Sequence, residues 1–320
     1  MVAPRAWDDH LAWAAHCRRG SAPVLMLAIF TGLGGAAAQS LSYLYSKHLV
    51  DHHRRSPLQV LVLAHVLMGG FSVVLLPFYW RTDMPPWSEW FWPLFGSTAT
   101  YLVGQIGLFY VLRHTQASRV SPLLSIKVIM LATLATALLH QPLSGLQWLA
   151  VFLCASAALV LNTVGGRIAT RAVIALLITC LMYSLSDLYI KVMLDSLGKH
   201  DPVANGVLGT ALTYLLAGIA AAALLPWLGS RRAGEWGRTT PYALAWFLGM
   251  IGLYACIALA DVVLANILQS TRGLFSVMLG VVAAHAGLLH LEPYVGRRIL
   301  VQRILASLMM SGAVALYVLG

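Results

Sequence analysis

Residues 40–51 read SLSYLYSKHLVD, and residues 184–195 read SLSDLYIKVMLD. Ser40/Ser184, Leu41/Leu185, Ser42/Ser186, Leu44/Leu188, Tyr45/Tyr189, Lys47/Lys191 and Asp51/Asp195 coincide at one offset (191 − 47 = 144). A second match lies downstream, GQIGLF at 104–109 against GMIGLY at 249–254 (249 − 104 = 145). Two matches at nearly the same offset, each at the same place in its half, predict an internal duplication. The expected units are a polar tail over residues 1–21 and two repeats over 22–165 and 166–320.

The rest of the chain is too apolar for a water-facing surface. Of 320 residues, 59% are hydrophobic and 10% charged, against about 25% charged in a soluble domain. Mean hydropathy is +0.78. About 20 apolar residues cross a bilayer as a helix, so ten spans would use about 200 residues and leave short loops. The expected fold is all-α, a polytopic membrane protein of ten helices. A transmembrane barrel does not fit, because its strands are short and alternate. Expected spans are about 22–46, 57–79, 90–112, 117–139 and 144–164, then 172–193, 202–226, 241–260, 262–289 and 299–319. Pro57, Pro202 and Pro241 stand near span starts, where a missing N–H costs little. Trp80, Trp87, Trp90 and Trp92 surround one loop, as a headgroup-level aromatic belt would.

Arg18-Arg19, an apolar run and Ala36-Ala37-Ala38 resemble a signal peptide. Cleavage there would cut one copy of the repeat apart, so 22–46 is expected to be a retained first span. Trp7, Leu11 and Ala14 would make the apolar side of a short interfacial helix if the tail is ordered.

Five spans per half is an odd number, so the second copy enters the membrane from the opposite side. Halves of opposite orientation imply a pseudo-two-fold axis in the membrane plane and a site near the midplane between them. With ten spans, Arg5, Arg18, Arg19, Arg81 and Lys199 share one side. The more numerous basic residues, Arg54, Arg55, Arg113, Arg231 and Arg232 among them, share the other, which the positive-inside rule puts in the cytoplasm.

The net charge of +10 is scattered in ones and twos at span ends, where anionic headgroups lie, and does not indicate nucleic acid. The four cysteines form no CxxC pair, so neither a disulfide framework nor a zinc site is expected. His48, Asp51 and His52 share a helical face, but Arg54 and Arg55 follow and repel cations; no metal and no cofactor is expected. No Walker loop, nucleophile elbow or HExxH occurs, so the chain is not expected to be an enzyme.

Ionisable groups within apolar spans are expensive and face a bundle interior or a wet cavity. His65, Lys127, Asp187, Asp261, Arg272 and His285 stand out. Lys127 maps onto Arg272 (272 − 127 = 145) and Ser125 onto Ser270, so a two-fold axis would place two cations across one central volume. Such a volume suits a carboxylate or phosphate, with Arg272 the bidentate partner and Lys127 the point charge. The alternative is that both cations pair with Asp187 and Asp261 and nothing is bound. Tyr43 and Asp187 are equivalent positions, and Tyr101 and Gln105 map onto Trp246 and Met250; all are candidate cavity lining or plain packing. Asp261 is a candidate for proton coupling. Lys47/Asp51 and Lys191/Asp195 are i,i+4 pairs at span ends.

The pattern resembles the drug/metabolite transporter superfamily, specifically its EamA-like ten-helix members. The resemblance rests on the two five-helix halves, on ASRVSPLLS at 117–125 and on LLHQPLSGLQW at 138–148. Where that family has a Gly-Glu pair after the fourth and ninth spans, this chain has His140-Gln141 and the neighbourhood of Glu292. The resemblance implies secondary transport by alternating access, usually export of amino acids or small metabolites. The expected function is transport of a small anionic or zwitterionic solute across a bacterial inner membrane, by a monomer or homodimer. A flippase for a lipid-linked anionic headgroup and a non-transporting membrane subunit are the rivals.

Overall fold

The computed structural model describes residues 22–53, 57–114, 124–162, 170–198, 200–228, 233–272, 274–275, 278–279 and 297–320. The tail 1–21, most of the motif at 117–125, His285, His290 and Glu292 lie outside the described residues. Among those described there are ten α-helices and no strand. They are α1 (Ala22–His53), α2 (Pro57–Tyr79), α3 (Trp87–His114), α4 (Lys127–Leu138) and α5 (Gly145–Asn162). The second half holds α6 (Thr170–Ser196), α7 (Pro202–Leu224), α8 (Ala233–Leu259), α9 (Val262–Ser270) and α10 (Arg297–Leu319).

Five helical stretches are long and apolar enough to cross a membrane: Ala22–Tyr43, Leu58–Tyr79, Thr170–Ser196, Pro202–Trp227 and Gly234–Leu259. Their outward side chains are apolar. Phe30, Phe78 and Trp227 are among the most exposed of the described residues, which is the surface hydrocarbon requires. Trp80, Trp87 and Trp92 are exposed around the α2–α3 connection.

Local chemistry explains most helix ends. Ser144 and Gln147 form a reciprocal capping box at the start of α5, with bonds of 2.9 and 3.2 Å. Asp201 accepts from the Val203 amide and Pro202 begins α7. His140 has φ 50°, and the Gln141 amide reaches back to the Ala135 carbonyl. This is a left-handed helix stop in which glycine is the cheapest residue. It coincides with the position where the resembled family carries its glycine.

Ala36–Ala38 lies in the middle of α1, with Ala36 packed, as the expected retained span requires. One expectation is corrected. Pro241 does not open its span: α8 begins at Ala233 and runs through the proline. The ring removes only one N–H, and packing along the rest of α8 outweighs that loss.

α1 packs along α8, α3 along α6, α2 against α7 and α5 against α10. α4 lies on α6, and α9 on α1. Replacing each helix by the one five places away returns the same set of pairs. Close crossings depend on small residues, since lipid supplies no hydrophobic drive between helices. A Cβ at Gly252 in α8 would stand 2.6 Å from the Thr31 carbonyl oxygen and 2.8 Å from Gly35 Cα of α1. Gly252→Val should therefore lower the thermal midpoint of the detergent-purified protein by the equivalent of about 1–3 kcal/mol, the cost of overpacking. Gly70→Ala, which meets nothing within 4 Å, should cost no stability in the same assay.

Candidate functional site

The repeated serines carry cross-helix bonds. Ser184 Oγ of α6 donates to the Cys180 carbonyl of its own helix at 2.8 Å and to the Lys127 carbonyl at 3.2 Å. Ser40 Oγ of α1 does the same with the Ala36 carbonyl at 2.8 Å and the Arg272 carbonyl at 2.7 Å. Each motif serine thus holds the backbone that bears one of the two cations.

The two cations face equivalent positions one and two turns apart on those helices. Lys127 Nζ donates to Asp187 Oδ2 at 3.0 Å and lies 5.7 Å from the Tyr183 ring centre. The Arg272 guanidinium lies 5.7 Å from the Tyr43 ring centre, and its Nη1 donates to Gln39 Oε1 at 3.4 Å. Tyr43 is the sequence equivalent of Asp187, and Gln39 that of Tyr183 (183 − 39 = 144). One cation is therefore matched by a carboxylate. Among the described residues the other has only a ring and an amide beside it.

Both cations open on one central cavity of about 50 Å³, between α1, α3, α4, α6, α7 and α8. By that measure one water needs about 10–15 Å³, so the space holds a few waters and not a metabolite. Its wall on the Gln39 side is a polar chain: Gln269 Nε2 donates to Gln39 Oε1 at 3.0 Å, and Gln39 Nε2 to Met250 Sδ at 3.0 Å. The rest of the lining is largely aromatic. Trp246 Nε1 donates to Tyr214 Oη at 2.7 Å, and the Tyr43 and Trp246 rings meet edge to face at 5.9 Å. His65 stands behind Tyr101. Its Nδ1 faces the Leu61 carbonyl at 2.8 Å and its Nε2 faces Tyr101 Oη at 3.0 Å. A carbonyl only accepts, so Nδ1 carries the proton and Tyr101 donates to Nε2.

Residues 26–163 match the EamA-like transporter family. That stretch, less than half of the chain, is similar to the family. The family consists of membrane transporters of small molecules, not enzymes, within the drug/metabolite transporter superfamily. A crystal structure of 16% identity superposes with a TM-score of 0.65 over 90% of this chain and 95% of its own. That likeness concerns the fold alone, and it extends over both halves. A search of curated proteins found no match.

Lys127, Arg272, Tyr43, Asp187, Tyr101, Gln105 and Trp246 all line the same cavity. Three of the described residues singled out from sequence do not: His65, Asp261 and Ser270. Asp261 caps α9, accepting from the Val263 and Leu264 amides at 2.8 Å each and from Tyr317 Oη at 3.0 Å. Ser270 Oγ is turned back to the Asn266 carbonyl at 2.9 Å. The Ser125 side chain is outside the described residues, as are those of Lys47, His48, Asp51 and His52. Among the described residues no group of His, Cys, Asp and Glu could hold a metal ion.

Sequence reasoning missed Gln39, Tyr183, Tyr214 and Gln269 as cavity lining. The first two carried a signal. Gln39 and Tyr183 lie four residues before Tyr43 and Asp187, one helical turn along the same face. Gln269 stands at the repeat offset from Leu124 (269 − 124 = 145), which lines the same cavity, and Tyr214 had no such relation.

The Lys127–Asp187 pair is buried, with side-chain exposures of 10% and 6%. Removing one partner leaves a charge with no compensation. Lys127→Met and Asp187→Leu should each destabilise the purified protein by about 3–5 kcal/mol. The Lys127→Met/Asp187→Leu double variant should recover most of that loss in the same thermal-unfolding measurement.

Proposed function

We propose that the chain is a secondary transporter, and in the direction the family resemblance favours an exporter. Its solute is small and carries at least one negative group. It works by alternating access between inverted repeats over 22–165 and 166–320, with all ten helices crossing the membrane. The single observation that supports this most is that Arg272 and Lys127 line the same cavity while, among the described residues, only Lys127 stands against a carboxylate. The uncompensated guanidinium is the place for an anion, held bidentately, with Tyr43 and the Gln39–Gln269 amides around it. Tyr101, Gln105 and Trp246 supply further lining, and Lys127–Asp187 a local dipole that a zwitterion would complement. The helix pairing that survives a shift of five supports the two-fold arrangement.

The volume bears on mechanism. A cavity with room for a few waters describes a nearly closed state, so a solute enters only when the helices around it part. The membrane expected is a bacterial inner membrane, and the assembly a monomer or homodimer.

A thermal-shift screen of the purified protein against small carboxylates and phosphates, among them succinate, glutamate and inorganic phosphate, tests the reading. A ligand at 100 times its Kd stabilises the folded state by about 2.7 kcal/mol. At least one anion should raise the midpoint of the wild type, and Arg272→Gln should abolish that shift. An identical response of wild type and Arg272→Gln to every anion would overturn the assignment. So would a folded Lys127→Ala/Arg272→Ala variant that still transports at full rate.

A further inference from the structure

His65 lies on the inward face of α2, where Ala64, Met68 and Ser72 are also buried, and is itself only 2% exposed. α2 meets α7 there at backbone distance: a Cβ on Gly218 would stand 3.0 Å from the His65 carbonyl oxygen and 2.7 Å from Gly69 Cα. The ring sits beside two tyrosines. Its centre is 5.6 Å from that of Tyr101 on α3 and 6.1 Å from that of Tyr214 on α7, the latter stacked at 28°. Both tyrosines line the central cavity and His65 does not. The histidine reaches the lining through Tyr101 Oη, at 3.0 Å.

No charge stands against the ring among the described residues. α3 and α7 present Tyr101 and Tyr214 to it. α8 places Phe247 on Tyr214, and its Glu235 and Arg238 gather with Gln59, Val60 and Leu63 toward the start of α2. The described side chains of α1 carry no charge. Lys127, Asp187 and Arg272 belong to the cavity lining. A cation formed on His65 therefore has no partner in the empty protein, and an anion in the cavity would supply one.

The hydrogen bonds of the ring survive that change. In the neutral ring Nδ1 donates to the Leu61 carbonyl and Nε2 accepts from Tyr101. A hydroxyl oxygen accepts as well as donates, so both nitrogens keep a partner in the charged ring. A water in the cavity gives a proton to Tyr101 Oη while Tyr101 passes its own hydrogen to Nε2. Nε2–H then donates to Tyr101 Oη, and the tyrosine stays neutral with its hydrogen turned away from the histidine. Gln105, Tyr214 and Trp246 interact with that hydroxyl, and all three line the cavity. One hydrogen that the histidine had held is thus released toward the lining, with one positive charge behind it. Both favour an anion. Asp261, the acid that the sequence offered for proton coupling, is instead a helix cap with three donors on it, away from the cavity.

We propose that His65 is a proton-binding site, that Tyr101 relays its state to the cavity, and that the proton and the anionic solute bind together. The inference rests on the anion reading above and adds the coupling ion to it. His65 touches no solute and acts as a positioning residue through Tyr101. For a monoanion the loaded site carries the same net charge as the empty one, since one proton enters with one negative charge. A solute accumulated on one side of the membrane then leaves with a proton.

The pH dependence of anion affinity tests this. Glutamate, lactate and pyruvate keep a constant charge between about pH 6 and pH 8. Each is titrated by thermal shift at both values against the full-length wild type, His65→Gln, Tyr101→Phe and Arg272→Gln. His65→Gln keeps an acceptor for Tyr101 and takes no proton. A proton that enters with the anion makes affinity rise as pH falls. The wild type should bind at least one of the three about fivefold or more tightly at the lower pH, the low end of coupling between two ligands. His65→Gln and Tyr101→Phe should each bind equally at the two values, which loss of packing alone would not produce. Should His65→Gln fail to fold, Tyr101→Phe carries the same prediction. A pH dependence that survives in His65→Gln would overturn the proton site, and one that survives in Tyr101→Phe would overturn the relay. Wild-type binding that is equal at both values and lost in Arg272→Gln would remove the proton site and leave the anion site standing. No shift of the wild type with any of the three at either pH would overturn both.

Discussion

The hydroxyls of Ser40 and Ser184 are the contacts on which the rest of the site depends. Each shares its hydrogen between a carbonyl of its own helix and the carbonyl of a cationic residue on another. In the middle of an apolar bundle a backbone carbonyl at a helix break has no water to turn to. Lys127 stands at the first residue of α4, and Arg272 just beyond the end of α9. The Lys127 carbonyl can also accept within α4, since a helix start leaves N–H groups and not carbonyls without partners, so the serine bonds tie one helix to another. The same bond fixes where the side chain that follows will point. The coincidence of SLS in both copies therefore has a physical reason: it anchors two charged residues against two helices.

What differs between the two anchors decides the electrostatics. α6 offers Asp187 to its cation and α1 offers Tyr43 to its own. A carboxylate cancels Lys127, whereas an aromatic face and an amide stabilise the guanidinium of Arg272 without neutralising it. A strictly equal pair of sites would have been either two closed ion pairs or two open cations. Among the described residues the arrangement is one of each within a single small volume.

Packing makes that arrangement possible. Glycines where α1 crosses α8 let the backbones meet closely, and Tyr183 lies over Gly104 where α3 meets α6. These crossings set the width of the cavity. The aromatic wall is held from behind by His65, whose proton sits on Nδ1 because the Leu61 carbonyl can only accept. Tyr101 is thereby committed as a donor to the histidine.

Apolar composition and the repeated motif were enough to establish a helical membrane protein of ten helices, because a bilayer allows few alternatives and burial of apolar length is additive along a chain. The offset between repeated segments also brought Lys127 and Arg272 to one place, since equivalent positions in paired helices fall on equivalent faces. Sequence left open which acid each cation would meet. Asp187 and Asp261 were equal candidates, and only the crossing of α4 over α6 selects Asp187, while the break between α8 and α9 turns Asp261 into a helix cap. It likewise left Pro241 at a helix start and Tyr214 and Gln269 out of the site. Those outcomes depend on distances between segments far apart in the chain. No periodicity records such distances, because they follow from how closely small residues let the helices approach.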